Sequence, residues 1–243
     1  MVKKFIKRLD LIDMLNKGFK EVFNDIVTAV IKYKSLLVLL IITDFMFVVL
    51  HSFYVHDFLD GNKYYSLATE RGYSEFYQYI KEFWFFLLLI HISFKKKQFI
   101  YFLWSLLFLY FLLDDSIGFH ENYGNYLAEL FEFQSMFNLR PVDLGEFLVS
   151  LCIGAIFLMA LLFSYYKADL IGKKITRTIS ILIVMLVFFG VFIDLLHIAV
   201  AYQNNRWTIV EDSGEMFVMS LILCYAFHLN SRFFKNQQLY NLN

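Results

Sequence analysis

Apolar runs of about 20 residues recur along most of this chain, and a run of that length is what a helix rising 1.5 Å per residue needs to cross a hydrocarbon layer of roughly 30 Å. Hydropathy places such spans at Ser35 to Phe53, Tyr77 to Phe94, Phe99 to Ile117, Glu146 to Tyr166, Thr178 to Ala201, and Gly214 to Leu229. The second is the least apolar, because Lys81 and Glu82 stand near its start. Hydrophobic residues make up 59% of the chain. A soluble domain holds about 45–50%, so a water-facing fold could not hide the excess. The expected fold is all-α: a polytopic integral membrane bundle of about six transmembrane helices, residues 35–243, preceded by an amphipathic helix over residues 1–34.

In that first segment Phe5, Leu9, Ile12, Phe19, Phe23, Ile26 and Val30 share one arc at 100° per residue, and Lys3, Lys4, Lys7, Arg8, Lys17 and Lys20 add positive charge. Such a helix suits a cytoplasmic membrane surface or the flank of the bundle, and it offers a place for a cytoplasmic partner. It lacks a compact apolar core followed by a small-residue cleavage site, so the first span is expected to act as the anchor.

Charge tests the parse independently. Lys32 and Lys34, Lys95 to Lys97, then Lys167, Lys173, Lys174 and Arg177, and finally Arg232 and Lys235 fall in alternate gaps. The intervening gaps hold Asp57, Asp60, Glu70 and Glu75, then Glu121, Glu129, Glu132 and Asp143, then Glu211, Asp212 and Glu215. Basic loops stay in the cytoplasm, which predicts an inner-membrane protein with both termini inside. Net charge is +0, so nucleic acid is not an expected partner. Cys152 and Cys224 lie inside apolar runs and read as packing residues. Pro141 with Asp143 marks a helix start, and Gly72, Gly124 and Gly214 read as turn or helix-end residues.

Ionisable groups gather at the outer ends of the spans: Asp114, Asp115, His120 and Glu121, then Asp143 and Glu146, then Asp194 and His197, then Glu211 and Glu215. Three helices repeat an acid or His with small residues on one stripe: Asp114–Gly118–Glu121–Asn125, Asp143–Glu146–Ser150–Gly154, and Gly190–Asp194–His197–Ala201. Carboxylate and imidazole donors on neighbouring helices are how a bundle holds Zn, Mn or Fe. The expected metal ligands are Asp114, Glu121, Asp194, His197 and Glu215, with His120 and Glu211 as catalytic acid or base toward bound water. The layout resembles that of integral-membrane hydrolases with His and Asp ligands, although the motifs differ. The opposing expectation is that these acids cap helices and pair with Arg71, Lys81, Arg140 and Arg206.

The remaining polar groups at depth are Asp44, expected to be protonated or paired across helices with His91, and the series Ser220, Cys224 and His228 on one face of the last span. His51 and His56 read as interfacial. Glu70 to Glu82 reads as an aromatic belt or a lid over the acidic layer.

Three function classes follow. One is a metal-dependent membrane hydrolase or transferase acting on a lipid or lipid-linked substrate. Another is a homo-oligomeric ion channel, transporter or membrane-disrupting effector with an acidic outer mouth. The third is a membrane scaffold or sensor.

Overall fold

The computed structural model describes residues 2–136, 139–193, 195–196 and 205–240, with side chains described between residues 16 and 234 apart from 137–138, 194, 197–206 and 208. The described residues form eight α-helices and no strand. These are α1 Val2–Lys32, α2 Lys34–Val55, α3 Tyr73–Lys96, α4 Phe99–Ile117, α5 Phe119–Leu130, α6 Pro141–Lys167, α7 Leu170–Val187 and α8 Asn205–Tyr240. A 3₁₀ turn, Lys63–Tyr65, precedes α3, and α7 continues as a π-helical segment, Phe188–Ile193.

Five helical stretches are long and apolar enough to cross a membrane: Lys34–Val55, Phe99–Ile117, Pro141–Lys167, Leu170–Ile193 and Ile209–Phe234. Helix α3 is the same length class but carries too many charges to qualify, yet it is central to the bundle. It packs antiparallel on α4, with Phe85 and Phe108 both fully buried against each other, and its other flanks meet α8 and α2. The link is a turn of two residues in which Lys97 adopts a left-handed φ of 51°.

The bundle has an inside and an outside. In α8, 61% of the apolar stretch is buried, against 11% in α6, so α8 is the axis and α6 a peripheral helix. Leu151, Ile156, Met159, Leu162 and Phe163 of α6 face outward. An exposed apolar face of that extent is what lipid, not water, accommodates.

Several boundaries differ from the hydropathy reading. Helix α7 begins at Leu170 rather than Thr178, because Asp169 caps it by accepting from the Gly172 N–H at 2.6 Å. Lys173, Lys174 and Arg177 therefore ride on helix, where Lys174 meets Asp25 at 3.0 Å and Arg177 meets Glu21 at 3.9 Å, both on α1. The C-terminal half of α1 is thus packed on the bundle through Val22, Asp25 and Ala29, while Phe19 and Phe23 stay exposed. The acidic gap after α4 is not a loop but contains α5.

The glycines of that region act differently from the turn reading. Gly72 does begin α3, but Gly124 and Gly214 sit inside helices. A Cβ on Gly124 would lie 2.6 Å from the Glu146 backbone nitrogen, and one on Gly145 would collide with the Gly124 carbonyl, so α5 and α6 touch backbone to backbone. Gly214 makes room for the Phe189 ring. Gly154, by contrast, faces open space and brings no helix close. Cys152 is exposed, so only Cys224 is a packing residue.

Candidate functional site

Asp44 does not pair with His91, which is exposed and stacks on Phe234. Its partner is Lys81. The Lys81 side chain has 0% exposure, and its ammonium donates to Asp44 Oδ1 at 3.1 Å, to the Met216 carbonyl at 2.8 Å and to Ser220 Oγ at 3.4 Å. The Ser220 hydroxyl donates to the other carboxylate oxygen at 2.7 Å. Tyr77 places its ring 4.5 Å from the ammonium and anchors itself on the Leu40 carbonyl at 3.3 Å. The three helices α2, α3 and α8 therefore converge on one charge pair, each donating a side chain.

Burial leaves such a pair weak in net stability, since the desolvation of two ions offsets most of their attraction. What the geometry does secure is full occupancy. All three ammonium protons have an acceptor within reach, and both carboxylate oxygens have a donor.

From this pair a file of acids leads toward the acidic end of the bundle. Glu82 follows Lys81 in sequence and is 2% exposed. Its carboxyl lies beside that of Asp115 and near Glu215 on α8, and among the described residues its Oε2 has no hydrogen-bond partner. Beyond Asp115 the Tyr79 hydroxyl lies 3.1 Å from the Asp115 carbonyl and donates to Glu75 at 2.8 Å. Glu75 also accepts from the Arg71 N–H.

Arg71 closes the acidic end. Its Nε donates to the Ser116 carbonyl at 3.2 Å, covering the negative end of α4, and its Nη2 approaches Glu121 at 3.9 Å. The αL conformation of Gly118, φ 65°, makes this possible, because a Cβ there would lie 2.8 Å from the guanidinium. The segment before α3 is held down by His51, whose Nδ1 accepts from the Leu67 N–H at 3.1 Å. His51 is thus a buried loop anchor and not an interfacial residue.

Of the expected metal ligands, Asp114 accepts from the His120 N–H at 2.8 Å and places its other oxygen 3.1 Å from His120 Nδ1. Glu121 faces Arg71. Glu215 fills the space above Gly190 on the π-helical segment, near Glu82. Glu211 is one turn before Glu215 on α8 and has contacts of its own. Asp194 and His197 lie outside the described residues. Among the described residues no three His, Cys, Asp or Glu side chains are grouped to hold a metal ion. Asp143 is engaged by the Arg140 guanidinium at 2.6 Å.

The Asp114 contact pushes His120 up to about 9, with the charges of Asp114, Glu146 and Asp115 adding to it and burial opposing. A raised histidine stabilises the folded state fully below its free value of about 6.5, and that contribution disappears as pH rises through about 9. The thermal midpoint of the wild type should therefore fall relative to His120→Gln between pH 7 and pH 10 in detergent. Parallel profiles for the two proteins would show that the contact carries no such linkage.

The sequence signal for Lys81 was its depth. Asp44 lies about three turns from the C-terminal end of α2 and Lys81 about two turns into α3, so antiparallel helices bring them close in level. No curated protein and no solved structure matches the chain. A family profile described as Domain of unknown function (DUF8692) matches residues 37–229, a stretch that holds Asp44, Lys81, Glu82, Asp115 and Ser220, and the chain belongs to that family.

Proposed function

We propose that the chain crosses the inner membrane six times, α3 included, with both termini in the cytoplasm, and that it is a transporter whose cycle moves protons through the Lys81–Asp44 pair. The observation that carries this reading is an ion pair fully buried between three helices at mid-span depth and joined to an outer file of acids through Glu82. Ionisable groups at that depth mark proton or ion routes in membrane proteins, because their insertion is otherwise costly.

The inner side has a second polar group in line with the first. Tyr225 donates to Asp25 at 2.7 Å, and Lys174 and Thr178 complete that cluster. Between Ser220 and Tyr225 about 7.5 Å of helix intervenes, and Ile222 and Leu223 are buried there. Two polar half-routes divided by one apolar turn fit a site opened to one side at a time. The π-helical segment at Gly190, against Glu215, is a natural place for α7 to bend, as π-bulges concentrate where helices adjust.

The test is proton uptake by liposomes containing the protein and a trapped pH dye, driven by a potassium diffusion potential. The wild type is expected to exceed protein-free liposomes, and Asp44→Asn to lower the rate at least 10-fold. Wild-type flux equal to the protein-free control would refute the reading. Stoichiometric Zn, Mn or Fe that is lost in Asp114→Asn, in a protein without flux, would return the outer cluster to the metal-dependent enzyme class.

A further inference from the structure

At the basic end of the bundle, opposite the acids, a half-open cavity of about 380 Å³ lies between the α3–α4 turn and the end of α6. That volume falls within the roughly 300–1,000 Å³ usual for small-molecule sites. Two lysines flank it, Lys97 from the turn and Lys167 from the last turn of α6, and Phe99, Ile100 and Phe163 give it an apolar wall. We infer that this cavity binds the headgroup of an anionic phospholipid.

Three observations argue for that occupant. Among the described residues neither lysine takes part in a salt bridge, so two positive charges flank one cavity. The nearest acid in sequence, Asp169, is engaged in capping α7, accepting from the Gly172 N–H at 2.6 Å. The rim is lipid-facing: Phe99 is 58%, Phe163 63% and Tyr166 88% exposed, so acyl chains can lie along α6 while the phosphate sits at the lysines.

Lys167 is already laid out for this, its stem along Phe163 with the ammonium 4.3 Å from the ring centroid, a snorkelling pose that keeps the charge at the interface. Lys95 and Lys96, over the rings of Phe234 and Phe233, raise the local positive potential. Basic pockets between transmembrane helices on the cytoplasmic side are where anionic headgroups collect. This inference needs the chain to be in a membrane but not the proton cycle, so either can fail alone.

The experiment is native mass spectrometry of the full-length chain in detergent with added phosphatidylglycerol or phosphatidylcholine. One phosphatidylglycerol should be retained at collision energies that strip phosphatidylcholine, and Lys97→Gln with Lys167→Gln should lower the retained fraction about 10-fold. Either single variant, expected to lower it about threefold, replaces the double if the double does not fold. Equal retention of all lipids, undiminished binding in the lysine variants, or displacement of the lipid by millimolar glycerol phosphate would overturn the assignment, the last by making the site one for free phosphate.

Discussion

Replacing Lys81 alone with Met is expected to destabilise the protein by about 3–5 kcal/mol, the range found when one partner of a buried pair is removed. The cause is what remains behind. Asp44 is 5% exposed and keeps only the Ser220 hydroxyl, while the Met216 carbonyl loses its second donor. Asp44→Leu should behave similarly, leaving an ammonium with no counter-charge on α2. Lys81→Met combined with Asp44→Leu removes both ions and should recover most of the loss, since apolar substitutes of similar volume often match a buried pair. Chemical unfolding in mixed micelles of the two single variants and the double gives the coupling directly. A double variant as unstable as the sum of the singles would show that the pair does not interact as described. The double variant also separates stability from function: it is expected to fold and to pass no protons, whereas a pair with a purely structural role would leave flux intact.

At the acidic end, Gly145→Leu should produce the next largest effect, at least about 3 kcal/mol, the upper end of the overpacking range. The obstacle is the carbonyl of Gly124 and not a side chain that can rotate aside. Helix α5 must move away from α6, and with it goes His120, whose contact to Asp114 is the joint between α4 and α5. Limited proteolysis within α5 should accelerate in the variant. Gly154→Leu is the internal control, because a Cβ there meets open space, and it should change neither stability nor cleavage. Equal effects at the two positions would mean that the close approach of α5 and α6 is not maintained.

Gly154 and Gly190 both lie on small-residue stripes, yet of the two only Gly190 meets a neighbour, Glu215. Spacing along one helix assigns a face but not what the face meets, and α6 turns much of its surface outward. Asp114 and His120 could be placed at one layer from sequence. Their direct contact depends on the αL turn at Gly118, which ends α4 and changes the chain's direction between them.

Membrane embedding and the all-helical class are legible in the residues themselves, because a bilayer demands long apolar helices whatever their neighbours are. The segregation of acids and bases to opposite ends is legible for the same reason: charge responds to the two membrane faces and not to packing. Which charges meet is a different matter. By hydropathy Lys81 only weakens the second span, and it becomes the partner of Asp44 only when α2, α3 and α8 are brought together. A long flexible side chain can satisfy its ammonium at many places, and three-dimensional adjacency alone selects the carboxylate, carbonyl and hydroxyl that do so here.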